Sequence, residues 1–297
     1  MIKRVFKKMG LSIEEMRIQN RKFKAISAGP KPFLKWVGGK RQLLKQIDPF
    51  LPSTFNKYIE PFVGGGALFF YLLPENAILI DNNPVLINCY QVIQKKIDPL
   101  IEALRGHKNE SDYYYSIRNV DRLPEFSQWT DVQKAARIMY MNKCCFNGLY
   151  RVNSKGFFNV PFGKYKNPRF LDEENLRAIH TVLQTVTIQN GSFTKSLDHA
   201  KKNDFVYFDP PYYPITKTAN FTSYTKDNFS EHDQIHLAKI FKELDNRGCK
   251  LMLSNSYCDF ILDLYKDFHI EKVHAKRAIN SDASKRGAIK EVLVMNY

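Results

Sequence analysis

The chain has 297 residues, 44% hydrophobic and 25% charged, which is the balance of a soluble globular protein with a substantial core. Its formal net charge of +15 points to a polyanionic partner, nucleic acid above all, with a basic surface serving solubility as the plainer alternative. No apolar run reaches the length of a membrane span.

Residues 1–31 read as a basic, weakly amphipathic leader ending in "AGPKP". It lacks the continuous apolar core of a signal peptide, so a cytoplasmic protein is expected. "FLKWVGGKRQLLKQIDPFLP" gives a glycine turn, a short helix and a proline stop. In "YIEPFVGGGALFFYLLPENAILIDNNP", Tyr58–Phe62 reads as a strand, Val63–Gly66 as a glycine turn and Ala67–Leu73 as a helix. Ala77–Ile80 is a second apolar strand ending in Asp81, which completes a β-loop-α-β unit. Residues 87–150 carry mostly helical patterns, "DVQKAARIMYMNKCCF" among them, and run into the loop-rich basic segment "NGLYRVNSKGFFNVPFGKYKNPRF". A helix follows over Asp172–Gln184, and then strands and helices alternate again. These are strands at Val186–Gln189 and Phe205–Phe208, a helix from Ser230 to Gly248, the strand "KLMLS", a helix after Asn255 and the terminal strands. The expected fold is an α/β sheet from residues 32–93 and 186–297, interrupted by a helical and loop-rich insertion at 94–185.

Five cysteines include the adjacent Cys144 and Cys145 but no C-x-x-C pair, so they are expected as buried small hydrophobes. His232 and His236 in "HDQIH" have the spacing of helical zinc ligands. Asp233 stands where the zincin signature has Glu, and Leu237, Ile240, Phe241 and Leu244 mark a core-packing helix instead. No metal is expected.

Two stretches carry chemistry. "FVGGG" lets backbone pass close to a ligand, and Asp81 lies 17 residues beyond Gly64, near the spacing at which an acid binds ribose hydroxyls. The loop is not G-x-G-x-x-G and has no P-loop lysine, so a cofactor with a ribose and no phosphates suits it. S-adenosylmethionine (AdoMet) has that chemistry. In "DFVYFDPPYYP", Pro210 and Pro211 must end the ladder, leaving Asp209 at the carboxyl end of a strand. The bland alternative is a proline turn capped by Asp209. The sharper reading starts from an exocyclic amine on an aromatic base, whose lone pair is delocalised into the ring. The Asp209 carboxylate and the Pro210 carbonyl would each hold one N–H and favour a pyramidal nitrogen. Tyr212 would stack on a base that has left its duplex. Asp209 then orients and stabilises charge and need not be a strong base.

With these pieces in place, the chain closely resembles Dam-like DNA adenine-N6 methyltransferases, especially the DpnII-type modification enzymes that methylate GATC. The resemblance is carried by "FLKWVGGK", "EPFVGGGALFF", "IDNNPVLINCY", "FNGLYRVNSKGFFNVPFGKYKNP", "DFVYFDPPY", "FTSYT" and "MLSNS", in the family's order from Phe33 onward. It implies a Rossmann-like methyltransferase sheet with 94–185 as target-recognition subdomain, double-stranded DNA as substrate and AdoMet as cofactor. Cofactor contacts are implied at Trp36, Lys40, Asp81 and Asp209, with Phe62, Gly64 and Gly66 of the loop beside them. Catalysis is expected at Asp209, Pro210, Pro211 and Tyr212. Recognition contacts are implied at Phe146, Asn147, Leu149, Arg151, Pro161 and Lys164. Lys164 replaces an arginine common in relatives and cannot make the same bidentate contact, which leaves it a phosphate role.

The residues themselves agree: Arg151 suits guanine O6 and N7, Phe146 suits a wedge between base steps, and Lys155, Lys166 and Arg169 suit phosphates. Asn280 and Arg286 in "NSDASKRGAIKE" are expected near the target strand. A cognate restriction endonuclease is a possible partner. An RNA adenine methyltransferase, a non-catalytic DNA-binding relative and a protein glutamine methyltransferase are the alternatives. The basic recognition segment argues against the last.

Overall fold

The computed structural model describes residues 29–215, 229–276 and 288–297. Residues 1–28, the "FTSYT" motif, Asn280 and Arg286 lie outside the described residues.

The strands are β1 (Tyr58–Glu60), β2 (Ala77–Asp81), β3 (Val186–Asn190), β4 (Phe205–Phe208), β5 (Lys250–Ser256), β6 (His269–Lys276) and β7 (Ala288–Met295). They form one sheet in the order β3-β2-β1-β4-β5-β7-β6. β1 to β5 run parallel, with Tyr58 opposite both Ala77 and Phe205, while β7 runs antiparallel between β5 and β6. The central strands β1 and β4 are buried throughout because both faces are covered. Side chains alternate along a strand, so neighbours enter different cores. Tyr58, Leu79, Phe205, Tyr207 and Met252 face one core, and Ile59, Ile78, Ile80, Val206, Phe208 and Leu253 face the other.

The longer helices are α1 (Ala67–Leu72), α2 (Pro84–Lys95), α3 (Ile97–Arg105), α4 (Ser111–Asn119), α5 (Asp131–Cys144), α6 (Glu173–Leu183), α7 (Glu231–Asn246) and α8 (Asp259–Leu264). The first core is shared by α1 to α6, so the helices of 94–185 pack continuously with one face of the sheet. The second core lies under α7 and α8, with Leu237, Ile240, Phe241 and Leu244 buried along α7. Helix α5 is buried nearly all round; its Arg137 is satisfied by Asp121 at 2.8 Å, as a buried cation requires. Four cysteines are buried and Cys258 is partly so.

Element ends follow local chemistry. β1 stops at Glu60, two residues short of the expected end, because Pro61 cannot continue the ladder. α1 ends with Leu73 in a left-handed conformation at φ 46°. α7 starts in a capping box made by Ser230 and Asp233. β5 extends past "KLMLS" to Ser256.

The strand order reverses between β1 and β4, which places the ends of those two strands beside a topological switch point. The glycine loop follows β1, and Asp209 follows β4. Among the described residues no helix is long and apolar enough to cross a membrane.

Candidate active site

The glycine loop is held by the acid that ends β2. The Gly64 N–H donates to Asp81 Oδ2 at 3.0 Å, and the Asn83 N–H donates to Oδ1 at 2.9 Å. Burial raises the Asp81 carboxyl above its ordinary value, against the opposing pull of the Asn83 and Gly64 N–H groups. A carboxylate offers about four lone-pair sites, so two remain, enough for a vicinal diol. Gly66 has φ +66°, and a Cβ there would lie 2.7 Å from the Tyr90 hydroxyl. That hydroxyl donates to the Gly64 carbonyl at 3.1 Å. Gly64, at φ +48°, faces the Trp36 indole, which stacks on Tyr150 with centroids 5.1 Å apart. The Phe62 ring stacks on Phe193. A glycine cradle, a partly exposed carboxylate and an aromatic wall fit a nucleoside cofactor.

Asp209 stands beyond β4 with its side chain 17% exposed, and Lys40 Nζ lies 2.7 Å from its Oδ1. Lys40 is itself buried and also donates to the Gly38 carbonyl at 2.8 Å. Burial pushes the Asp209 carboxyl up to about 6, although Lys40 pulls it down; Glu291 adds to the rise. The Lys40 ammonium also sits 4.5 Å from the centroid of the Tyr212 ring, covering one face. The Tyr212 hydroxyl donates to Glu291 Oε2 at 2.6 Å. Beneath the site, Tyr58 donates to Glu60 Oε2 at 2.9 Å, and burial holds the Glu60 carboxyl well above the usual carboxylate range. Asp209 thus joins an accessible acceptor to a base-sized aromatic ring, next to the glycine loop. Such an arrangement can orient an amine and favour positive charge developing on it.

The expected recognition residues gather on one irregular hairpin. Single bridges pair Cys145 with Phe162 and Val152 with Phe158. Phe146 is 52% exposed at the base of the hairpin, where its N–H donates to the Pro161 carbonyl at 2.9 Å. Asn147 takes a left-handed conformation at φ 57°, and its N–H donates to the Tyr165 hydroxyl. Leu149 is half-buried, and Arg151 is exposed with Nε donating to Asn159 Oδ1 at 2.7 Å. Lys155, Lys164 and Lys166 are exposed, whereas Arg169 pairs with Asp172 at 3.0 Å. The buried Asn142 amide ties this hairpin to the segment before the glycine loop: Oδ1 accepts the Lys35 N–H, and Nδ2 donates to the Lys35 and Gly148 carbonyls.

Glu291, Asn142, Asn159, Gln234 and Asn255 were not singled out from sequence. Asn255 lies in "MLSNS" and Gln234 inside "HDQIH", but a polar residue in an apolar stretch was the only signal available for either. His236 packs edge-on against Phe193. Among the described residues no three His, Cys, Asp or Glu side chains gather in a metal-binding group.

Comparison with known proteins supplies the family. The model of the D12 class N6 adenine-specific DNA methyltransferases matches residues 36–279. The Type II methyltransferase M1.LlaDCHI of Lactococcus lactis subsp. cremoris is 48% identical over 271 residues, 90% of this chain and 95% of its own. The Type II methyltransferase M.MjaIII of Methanocaldococcus jannaschii is 47% identical over 287 residues, 90% of this chain and 99% of its own. The DNA adenine methylase of Haemophilus influenzae is 34% identical over 272 residues, 89% of this chain and 93% of its own. This chain belongs to the D12 class of N6 adenine-specific DNA methyltransferases, enzymes that depend on AdoMet.

Proposed function

We propose that the enzyme methylates adenine N6 in GATC within double-stranded DNA, acting on an adenine turned out of the helix, in the cytoplasm. The observation that carries the reading is Asp209 at the switch point, 17% exposed and beside Tyr212, with the glycine loop adjoining. AdoMet, when bound, would supply an electrophilic methyl group, with S-adenosylhomocysteine leaving as its carbon–sulfur bond gives way to the new nitrogen–carbon bond and one amine proton passing to solvent. Trp36, Phe62, Gly64, Gly66 and Asp81 hold the cofactor, Asp81 through the ribose hydroxyls. Lys40 keeps Asp209 ionised and positioned. Asp209 accepts one N–H of the adenine amine, the Pro210 carbonyl accepts the other, and the nitrogen lone pair is directed away from the ring. Asp209 also stabilises positive charge as it develops on that nitrogen. Tyr212 stacks on the base by the ring face that Lys40 leaves open. Pro211 keeps the segment off the sheet ladder.

Residues 94–185 serve as the recognition part. Arg151 reads guanine; Asn147, Leu149 and Pro161 face neighbouring bases; Phe146 fills the gap left by the adenine. Lys164 and Lys166 contact phosphate; Asn280 and Arg286, outside the described residues, are assigned from sequence to the target strand or its phosphates. A cognate restriction endonuclease is proposed as partner, in keeping with the Type II methyltransferases of Lactococcus and Methanocaldococcus to which the chain is similar. The test is to incubate plasmid DNA with enzyme and AdoMet, then to digest it with GATC nucleases of opposite methylation sensitivity. Protection from the nuclease blocked by methyladenine, with sensitivity to the one that requires it, is expected. DNA that has taken up methyl groups yet is still cut by the first nuclease and left intact by the second would exclude GATC.

A further inference from the structure

Pro210 and Pro211 have no backbone N–H, so neither can donate to the sheet ladder beyond β4. Side chains from two other elements hold it instead. Gln234 Nε2, from the first turn of α7, donates to the Pro211 carbonyl at 2.9 Å. The Tyr213 N–H donates to Asn255 Oδ1 of β5 at 3.1 Å, and the Tyr213 carbonyl accepts from Ser256 Oγ at 2.7 Å. Asn255 Oδ1 also accepts the Ser256 N–H at 2.8 Å, and Asn255 Nδ2 donates to Gln234 Oε1 at 3.0 Å.

The directions in this chain of bonds are forced. Asn255 Oδ1 meets two N–H donors, so Nδ2 must face Gln234. Gln234 must then accept with its oxygen, which leaves its nitrogen for the proline carbonyl. Gln234 and Asn255 are both 0% exposed and adjoin an apolar core. Buried amides are costly unless bonded, and apolar side chains would fill the same space without that cost. The pair therefore calls for a function beyond packing.

Its geometry supplies one. The Pro211 carbonyl belongs to the peptide plane before Tyr212, and the Tyr213 N–H belongs to the plane after it. Both planes flanking Tyr212 are pinned, while Glu291 pins its hydroxyl at the far end of the ring. We propose that Gln234, Asn255 and Ser256 are positioning residues that fix Tyr212 and the Pro211 carbonyl for the acceptor base. They touch neither substrate nor cofactor. The proposal rests on the assignment of Asp209–Tyr212 to the target adenine.

The test uses the full chain with the variants Gln234→Met, which keeps volume and loses both bonds, and Ser256→Ala, which deletes one hydroxyl. Asp209→Ala is run beside them. Turnover, AdoMet affinity by calorimetry, duplex affinity by anisotropy and thermal melting are measured for each. Gln234→Met is expected to lower kcat on the order of 10- to 100-fold, the scale of a misplaced reacting group, with both affinities within about twofold of the parent. Ser256→Ala is expected to lower kcat about threefold or more, and it decides the matter if Gln234→Met does not fold. Wild-type kcat in a folded variant overturns the proposal, as does a loss of AdoMet affinity in proportion to kcat, which marks general loosening. If Asp209→Ala turns over normally, the assignment of the acceptor site itself fails. If Asp209→Ala is inactive while both other variants are normal, only the positioning role fails.

Discussion

If Asp209 acts as proposed, the ion pair between Lys40 and Asp209 should set the pH range over which the enzyme works. Asp209 lies at about 6 because burial outweighs the Lys40 ammonium 2.7 Å away. To stabilise positive charge on the amine it must be ionised. A raised carboxyl pKa means that activity is lost as pH falls through 6, so the loss lies on the acid side. At pH 5 only about a tenth of the molecules carry the charge, and at pH 7 about nine-tenths do. A nearby opposite charge lowers a carboxyl by about 1–3 units, so Lys40→Met should move the midpoint to roughly 7–9. The variant should then lose between about twofold and a hundredfold at pH 7 and regain most of it near pH 9.5. The measurement is incorporation of radiolabelled methyl groups into duplex DNA from pH 5 to 9.5. It is read as kcat/KM, which reports groups of the free enzyme. A wild-type profile flat from pH 5 to 7 would refute the reasoning. A Lys40→Met loss that alkali does not restore would refute it as well, because Lys40 would then act otherwise than through the charge of Asp209.

Asp81→Ala should weaken AdoMet by about 1.5–3 kcal/mol, the worth of hydrogen bonds to a charged group, and calorimetry showing unchanged affinity would place the ribose elsewhere. Arg151→Ala should cost about 1–3 kcal/mol of discrimination at one base pair, whereas Lys166→Ala should weaken all sequences alike and lower the salt slope by about one unit. Titration of cognate and single-substituted duplexes at several salt concentrations separates the two; equal weakening at every site by Arg151→Ala would make it a phosphate contact. Gly66→Ala should lower the melting temperature, since its Cβ would meet the Tyr90 hydroxyl at 2.7 Å with φ at +66°. A melting curve matching the parent would mean that the loop relaxes freely.

What sequence revealed and what it hid follow from range. The glycine loop, Asp81 and Asp209 each sit at the end of an apolar strand and are marked by Gly or Pro, so their places could be read locally. Glu291 reaches Tyr212 from 79 residues away, and no local pattern joins the two. Gln234 looked like one more polar residue on an amphipathic helix, because its burial depends on the loop packed over α7. The recognition segment read as loop because its hairpin is held by single bridges rather than a ladder, and single bridges impose no alternation. Helix α5 was plain as a helix, but the partners of its buried Arg137 and Asn142 lie on other elements.

The sheet order has a consequence for the timing of synthesis. β7 is last in the chain but second from the edge, filling the place between β5 and β6. A ribosome therefore delivers β6 before the strand that joins it to the rest of the sheet. Until β7 emerges, β6 lacks its neighbour and β5 keeps an open edge. Glu291, which holds the Tyr212 hydroxyl, arrives on that same strand. A chain halted short of β7 has its glycine loop and Asp209 but not the strand that fastens Tyr212. Closing the sheet and fastening that ring therefore depend on the same strand.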